Sequence, residues 1–198
     1  MIFGRNRCFR LLLICLLVVA NVGAIAQDNN GHDKLISLLS GFAQIESSSV
    51  YFKEEKFINT HKNVIHVSGG LFYRKPDYLK KQIDEPYVEI LEIRGDALSL
   101  TDYEGFTQKI SLQDTPEIKL YINAFRGFLS GNYAMLEKNF SMIYQGQSTH
   151  WKVSFIPRHQ TTGQALKSVV FEGREFSIRK IEITNQDNKS ILNLHDKK

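Results

Sequence analysis

The protein has 198 residues, of which 42% are hydrophobic and 23% are charged, and its formal net charge is +4. A chain of this length can bury a substantial core as one domain. The charge lacks the strong basic excess of a nucleic-acid-binding domain, so the composition predicts no nucleic-acid partner.

Residues 1–26 are typical of a cleaved signal peptide. A basic region precedes an apolar run, residues 11–20, that is about half of the roughly 20 residues needed to span a bilayer, and an A-x-A cleavage site follows. The basic residues are Arg5, Arg7 and Arg10, and the site is Ala24-Ile25-Ala26. An uncleaved anchor is the less favoured alternative, and a lipoprotein signal is disfavoured because Ile14 is bulky where processing requires a small residue.

Cleavage after Ala26 predicts a periplasmic chain of residues 27–198. Both cysteines, Cys8 and Cys15, lie in the leader, so the secreted chain is predicted to have neither a disulfide nor a thiol site. The leader also holds three of the 25 Lys and Arg residues and none of the 21 acids, which leaves 22 cations against 21 acids. The basicity therefore belongs largely to the leader.

The first half of the secreted chain is predicted to be a helix followed by six strands. Apolar residues at helical spacing predict a helix over residues 33–45, with Asp33 as its cap. Short segments rich in β-branched and aromatic residues then alternate with turn residues, which predicts antiparallel strands. These strands are residues 50–59, 64–74, 78–83, 87–94, 97–102 and 106–112.

Helical periodicity returns over residues 116–129, where a wide apolar stripe ends at Gly131. Asn132 is predicted to cap a further turn, residues 133–137. Five more strands follow, at residues 140–145, 151–156, 167–172, 176–184 and 190–194. No internal repeat, linker or low-complexity tract indicates a second domain.

This element order predicts a mainly β (α+β) protein. About eleven antiparallel strands twist and curl, so we expect a single curved sheet that forms an incomplete barrel. The amphipathic helices are the candidates to cover its concave apolar face. Thirteen Phe, eight Tyr and one Trp indicate either an ordinary core or, in addition, a cavity for an apolar ligand.

Patterns typical of catalytic or metal sites are absent from the sequence. There is no nucleophile elbow, phosphate loop, dinucleotide fingerprint or metal-binding histidine motif, and "GQSTH" lacks the final glycine of the elbow. His61 and His66 are predicted to face opposite ways, and adjacent acids such as Glu54 and Glu55 diverge on a strand. His150 is the best single candidate for a general base. We therefore predict no enzymatic activity, no cofactor and no metal.

Three segments carry a resemblance to a known family. After the first helix come "VYFKEEKF" from Val50, "GGLFYRKP" from Gly69 and "EPYVEILEIRGDALSL" from Glu85. Their order resembles the LolA family of periplasmic lipoprotein carriers, and the likeness in element order covers essentially all of the secreted chain. The resemblance implies an unclosed β-barrel lidded by helices, which shields acyl chains in transit to the outer membrane.

The patterns and the resemblance together nominate the site residues. The predicted ligand-binding residues of the cavity and lid are Leu35, Leu39, Phe42, Phe52, Leu71, Tyr73, Leu79, Ile122, Phe125 and Leu129. Lys75 occupies the position of the family's arginine before proline, which ties the sheet rim to the lid. Because lysine lacks arginine's planar fork of donors, Arg74 is the alternative latch. Glu54 stands where glutamine is usual, and Lys81 where a tryptophan can occur.

The resemblance predicts a monomeric carrier for an acylated protein or lipid, with an inner-membrane donor and an outer-membrane acceptor. The chain looks like a shorter LolA-related branch, because no further C-terminal strand is predicted after residues 190–194. For that branch we expect the cargo to be a lipoprotein or another lipophilic molecule such as a polyene-type product. Two alternatives stay open. One is a lipid-sensing or protein-binding module without transport, and the other is a lipid hydrolase or acyltransferase.

Overall fold

A computed structural model describes residues 29–59, 63–159 and 166–196 of the chain. These residues form three helices and eleven strands. In chain order they are α1 Asn29–Phe42, β1 Ser47–Ile58, β2 Ile65–Arg74, β3 Tyr78–Glu85, β4 Glu89–Arg94, β5 Ala97–Thr101, β6 Thr107–Ser111, α2 Pro116–Leu129, α3 Tyr133–Asn139, β7 Phe140–Gln147, β8 His150–Pro157, β9 Leu166–Arg174, β10 Ser177–Asn185 and β11 Asn188–Asp196.

All eleven strands belong to one antiparallel sheet. Its order is β6-β5-β4-β3-β2-β1-β11-β10-β9-β8-β7, so β6 and β7 are the two edges of an unclosed sheet. The first six strands run outward from β1, the helices α2 and α3 carry the chain to the opposite edge, and the last five strands return until β11 pairs with β1. The predicted eleven-stranded incomplete barrel is confirmed, and the predicted strand boundaries differ by no more than three residues.

The helix α2 has the predicted bounds, Pro116–Leu129, and lies over the concave face. Leu120, Ala124 and Phe128 belong to the main hydrophobic core, which also takes residues from α1, α3, strands β7 to β11 and, singly, from β1, β2 and β3. Ile122 instead joins a second cluster with Ile93, Leu98 and Leu112. The wide apolar stripe of α2 therefore lets one helix contact both halves of the curved sheet.

Two of the three predicted helix-end residues lie where the sequence places them. Gly131 has φ 68° and follows Ser130, the C-cap of α2, and Asn132 accepts a hydrogen bond from the backbone N–H of Met135 at 3.0 Å, as predicted for both. The predicted cap at Asp33 is wrong, because α1 begins at Asn29 and Asp33 lies inside it. The preceding residues Asn30 and Gly31 carry no apolar periodicity, so the apolar pattern did not reveal the first turn.

Several predictions fall outside the described residues, namely the signal peptide with Cys8 and Cys15, and His61. Within residues 29–59, 63–159 and 166–196, none of the helices has the length and apolarity needed to cross a bilayer.

Candidate functional site

A cavity of about 460 Å³ lies between α2 and the concave face of the sheet. Its floor comes from alternate residues of β2 to β4, because successive side chains of a strand point to opposite faces. The floor residues on this face are Leu71, Tyr73, Leu79, Lys81, Leu91 and Ile93, and their neighbours Phe72 and Lys80 also line the cavity. Ile181, Ile183, Leu192 and Leu194 of β10 and β11 extend the lining on the other side of β1. The result is a largely apolar pocket of the size that holds one small ligand.

The roof of the cavity comes from two adjacent rows of side chains along α2, one of which contributes Ile118 and Ile122. Residues four apart share one face of a helix, so Tyr121, Phe125 and Leu129 form one row, and all three line the cavity. The row of Leu120, Ala124 and Phe128 packs into the main core on one side of it. The row of Ile118, Ile122 and Arg126 lies on the other side, so α2 straddles the cavity.

Seven of the ten predicted ligand-binding residues line this cavity. They are Phe42, Leu71, Tyr73, Leu79, Ile122, Phe125 and Leu129. The other three, Leu35, Leu39 and Phe52, lie in the main core with exposed fractions of 3%, 1% and 0%. Phe52 sits on β1 between Gly69 of β2 and Leu194 of β11, where neighbouring side chains cover its ring. A role for these three in ligand binding stays a prediction.

An arginine that sequence reasoning did not nominate ties α2 to the rim of the sheet. Arg126 Nη2 donates to the carbonyl oxygen of Asp77 at 2.9 Å and to that of Gly95 at 2.6 Å. Asp77 itself accepts from the backbone N–H of Gly95 at 2.9 Å, so the β2–β3 and β4–β5 turns are joined beneath the guanidinium. We call this set of bonds the rim contact. Burial lowers the pKa of Arg126, and the carboxylates of Asp77 and Asp96 oppose that shift.

The sequence did contain a signal for the rim contact. Arg126 is the one cation at four-residue spacing from Ile118 and Ile122 in the apolar stripe of α2. A cation on a buried face needs acceptors, and the last carbonyls of nearby turns supply them. What the spacing does not reveal is which turns lie beneath the helix.

Lys75, the predicted latch, contacts the end of α1. Its Nζ donates to the carbonyl oxygen of Ala43, directly after α1, and to Glu46 Oε1 at 2.9 Å. The alternative latch, Arg74, is exposed and lies over the ring of Tyr78, with Cζ 5.3 Å from the centroid. Lys75 is therefore placed to hold α1 against the end of β2, and its function as a latch stays a prediction.

A buried ion pair borders the cavity floor. Lys81 Nζ lies 2.5 Å from Glu54 Oε2, and Glu54 is only 3% exposed. Lys81 Nζ also lies 4.9 Å from the ring centroid of Phe52. Burial lowers the pKa of Lys81, while the charge of Glu54 and its hydrogen bond act in the opposite direction. The alternation of β1 separates Glu54 from Glu55, as the sequence predicted for adjacent acids.

The histidine that the sequence offered as a general base stands apart from the cavity. His150 is exposed at the start of β8, opposite Gln147 of β7. Across the described ranges, no group of three His, Cys, Asp or Glu side chains is placed to hold a metal ion.

A comparison with protein families identifies a family that matches most of the chain. The family of outer membrane lipoprotein carrier proteins of the LolA-like type matches residues 33–192, which include the whole cavity floor and α2. The chain belongs to this LolA-like family. The family's fold is generally that of a carrier that binds lipoproteins or lipids, and its members are periplasmic.

Solved structures with a similar fold are distant in sequence. A LolA superfamily protein from Nitrosomonas europaea is 10% identical, with a TM-score of 0.44 over 82% of this chain and 92% of its own. A DUF1329 family protein from Desulfovibrio piger is 9% identical, with a TM-score of 0.44 over 84% of this chain and 90% of its own. No curated protein matches the sequence.

Proposed function

We propose that the protein is a periplasmic carrier that shields the acyl chain of a lipoprotein or another lipid during transfer toward the outer membrane. The observation that carries this proposal is the apolar cavity of about 460 Å³ between the concave sheet and α2. The LolA-like family supports the same function. The signal peptide predicted for residues 1–26 supplies the route to the periplasm.

Transfer requires an affinity comparable to that of a bilayer. Each buried methylene contributes about 0.8 kcal/mol, so a long acyl chain is held by a membrane with on the order of 10 kcal/mol. The cavity wall offers apolar surface of the same kind. Phe125 and Leu129 of α2 and Phe42 of α1 line the cavity, so we expect both helices to move when a chain enters. The rim contact then holds α2, and the Lys75 bonds hold the end of α1.

The first test is to fill the cavity. Leu91 lines the floor and is half-buried on β4, so Leu91→Trp is expected to occupy space that the chain needs. We expect the affinity for a dansyl-labelled undecanoic acid, measured by fluorescence titration, to fall at least about tenfold, a loss of about 1.4 kcal/mol. The matched control is Ile90→Trp, which places the same ring on the opposite face of the same strand. It is expected to bind the probe like the unaltered protein.

Equal loss in both variants, or in neither, would contradict the assignment of the cavity. Transport is tested separately, by transfer of a fluorescent lipid between donor and acceptor vesicles. A carrier accelerates this transfer in proportion to its concentration. A sensor or scaffold that binds lipid without transporting it leaves the transfer rate unchanged, and sustained cleavage of an acyl ester would identify an enzyme.

Lys75 is expected to make a small contribution to closure. In Lys75→Ala the bonds to Ala43 and Glu46 are lost, but Glu46 is 80% exposed, so the closed state loses only about 0.5–1 kcal/mol. Because the closed lid opposes binding, the apparent affinity for the acyl probe should rise about two- to fivefold, and its release should slow. Stopped-flow release from the loaded protein measures this. Unchanged affinity and release would remove Lys75 from the mechanism.

A further inference from the structure

Lys81 places a cation in an otherwise apolar row of the cavity floor. Across the paired strands its neighbours on the same face are Leu71 of β2 and Leu91 of β4, and both line the cavity. The Lys81 side chain is 22% exposed although its ion-pair partner is almost fully buried. Part of the lysine is therefore accessible from the cavity.

Two ammonium groups lie near one buried carboxylate in the cluster around Lys81. Glu54 Oε2 lies 2.5 Å from Lys81 Nζ and 4.0 Å from Lys56 Nζ, so two ammonium groups share one buried carboxylate. Glu89, opposite Ile83 on β4, also acts on Lys81, but it is exposed to solvent. An added anionic oxygen would complete the neutralisation of the two cations.

Lys81 also has more hydrogen-bond donors than its bond to Glu54 uses. An ammonium group carries three donors. Glu54 takes one, and the face of Phe52, with its centroid 4.9 Å from Nζ, attracts the cation by its ring electrons. A third donor is available for an oxygen atom in the cavity. Burial lowers the pKa of Lys81, and a bound anion would counter that shift as Glu54 does.

A second polar group in the same wall is also unsatisfied. Tyr73 lines the cavity two residues beyond Leu71 on the same face of β2, and it is 5% exposed. Within the described part of the chain, its buried hydroxyl has no hydrogen-bond partner. Native proteins usually pair such groups, but this oxygen is itself buried, so a ligand would reach it only after the wall rearranged.

Stability alone does not account for an ion pair at this position. Well-packed apolar residues in place of a buried ion pair are often neutral or stabilising. The floor on both sides of Lys81 is apolar, so a leucine there would continue the row. A charge in this apolar wall therefore needs another explanation, and recognition of a ligand's polar end supplies one.

We propose that Lys81 binds an anionic oxygen head of the ligand, so that the protein selects single acyl chains ending in a carboxylate or phosphate over neutral acyl esters. This inference rests on the proposed carrier function, because it presumes that an acyl chain occupies the cavity. A volume of about 460 Å³ accommodates one ligand of this kind.

Calorimetric titration with laurate, dodecyl phosphate and methyl laurate tests the inference. The unaltered protein should bind the preferred anion about 10- to 100-fold tighter than the ester, the range of one charge-assisted hydrogen bond. The comparison of laurate with dodecyl phosphate identifies the head. In Glu54→Gln/Lys81→Met, which removes both charges together, the ratio should fall to about one while the ester still binds. Lys81→Arg should keep the preference, and so should Lys53→Met, which removes an exposed cation from the opposite face of β1.

Equal affinities for the anions and the ester in the unaltered protein would overturn the inference, whether or not any variant folds. A preference that persists in the double variant would do the same, since another cation would then be responsible. If the double variant does not fold, Lys81→Gln replaces it in the same comparison. Failure of all three ligands to bind would instead refute the carrier function itself.

Discussion

Phe128→Ala is expected to lower the free energy of unfolding by about 3–5 kcal/mol, the usual cost of removing a fully buried ring. Phe128 is 0% exposed, and its ring stacks on Phe171 with the centroids 4.7 Å apart. It also contacts Phe42 of α1 at 4.7 Å and Trp151 of β8 at 5.7 Å. One side chain of α2 thus joins two helices to the sheet, and the alanine variant leaves a void at that junction.

Urea denaturation measures this loss as a lower transition midpoint at an unchanged slope. The matched control is Phe125→Ala, three residues earlier on the same helix. Phe125 is half-buried and lines the cavity, so less packing is lost there and the destabilisation should be clearly smaller. Similar losses in the two variants would show that α2 is not anchored at Phe128.

The fold was largely predictable because its signals are local. The apolar stripe, with Pro116 before it and Gly131 after it, predicted the bounds of α2, and the turns between short β-rich segments separated the strands. The pairing of β1 with β11 was not readable in the same way, because it joins residues such as Phe52 and Leu194 from opposite ends of the chain. No local pattern encodes which strand closes on which.

The sequence predicted which strand faces are apolar, but not which of the apolar residues line the cavity. Alternation shows which face of a strand is apolar, but a packed core and a cavity wall are both apolar faces, so Phe52 and Leu71 look alike in the sequence. The structure puts Phe52 in the core and Leu71 in the lining. The partners of the polar residues were still harder to predict. Arg126 and Lys81 bond to residues of turns and strands that only the fold brings next to them.

The two sides of α2 are held to the sheet by different amounts of buried apolar surface. The row that contains Phe128 is part of the large main core, whereas Ile122 packs into a cluster of only four buried residues. Separation from the second cluster exposes less apolar surface and is therefore cheaper. We expect α2 to pivot on the Phe128 side and to lift from β4 to β6, which breaks the rim contact.

Arg126→Met is expected to raise the apparent affinity for a dansyl-labelled acyl probe about 10- to 100-fold. The variant keeps an unbranched apolar stem but removes the two bonds to the carbonyl oxygens of Asp77 and Gly95. Hydrogen bonds from a charged donor contribute about 1.5–3 kcal/mol, and here they stabilise only the closed lid. When the closed state weakens, the open and binding-competent state becomes more populated, so less of the binding energy is spent on opening. Fluorescence titration and stopped-flow association measure the effect.

Two variants separate the rim contact from other effects of charge on α2. Lys119→Met removes a cation from the same helix. Lys119 reaches the β4–β5 turn only through Gln113, which it bonds at 2.7 Å and which bonds Asp96 at 2.6 Å, so binding should change much less than in Arg126→Met. Arg126→Lys keeps the charge but not the planar fork, and its affinity should lie between those of the unaltered protein and Arg126→Met. Weaker binding in Arg126→Met would mean that the arginine shapes the binding site and does not restrain the lid. Tighter binding, with Phe128→Ala destabilised as expected, would establish that α2 is anchored by one row and released by another.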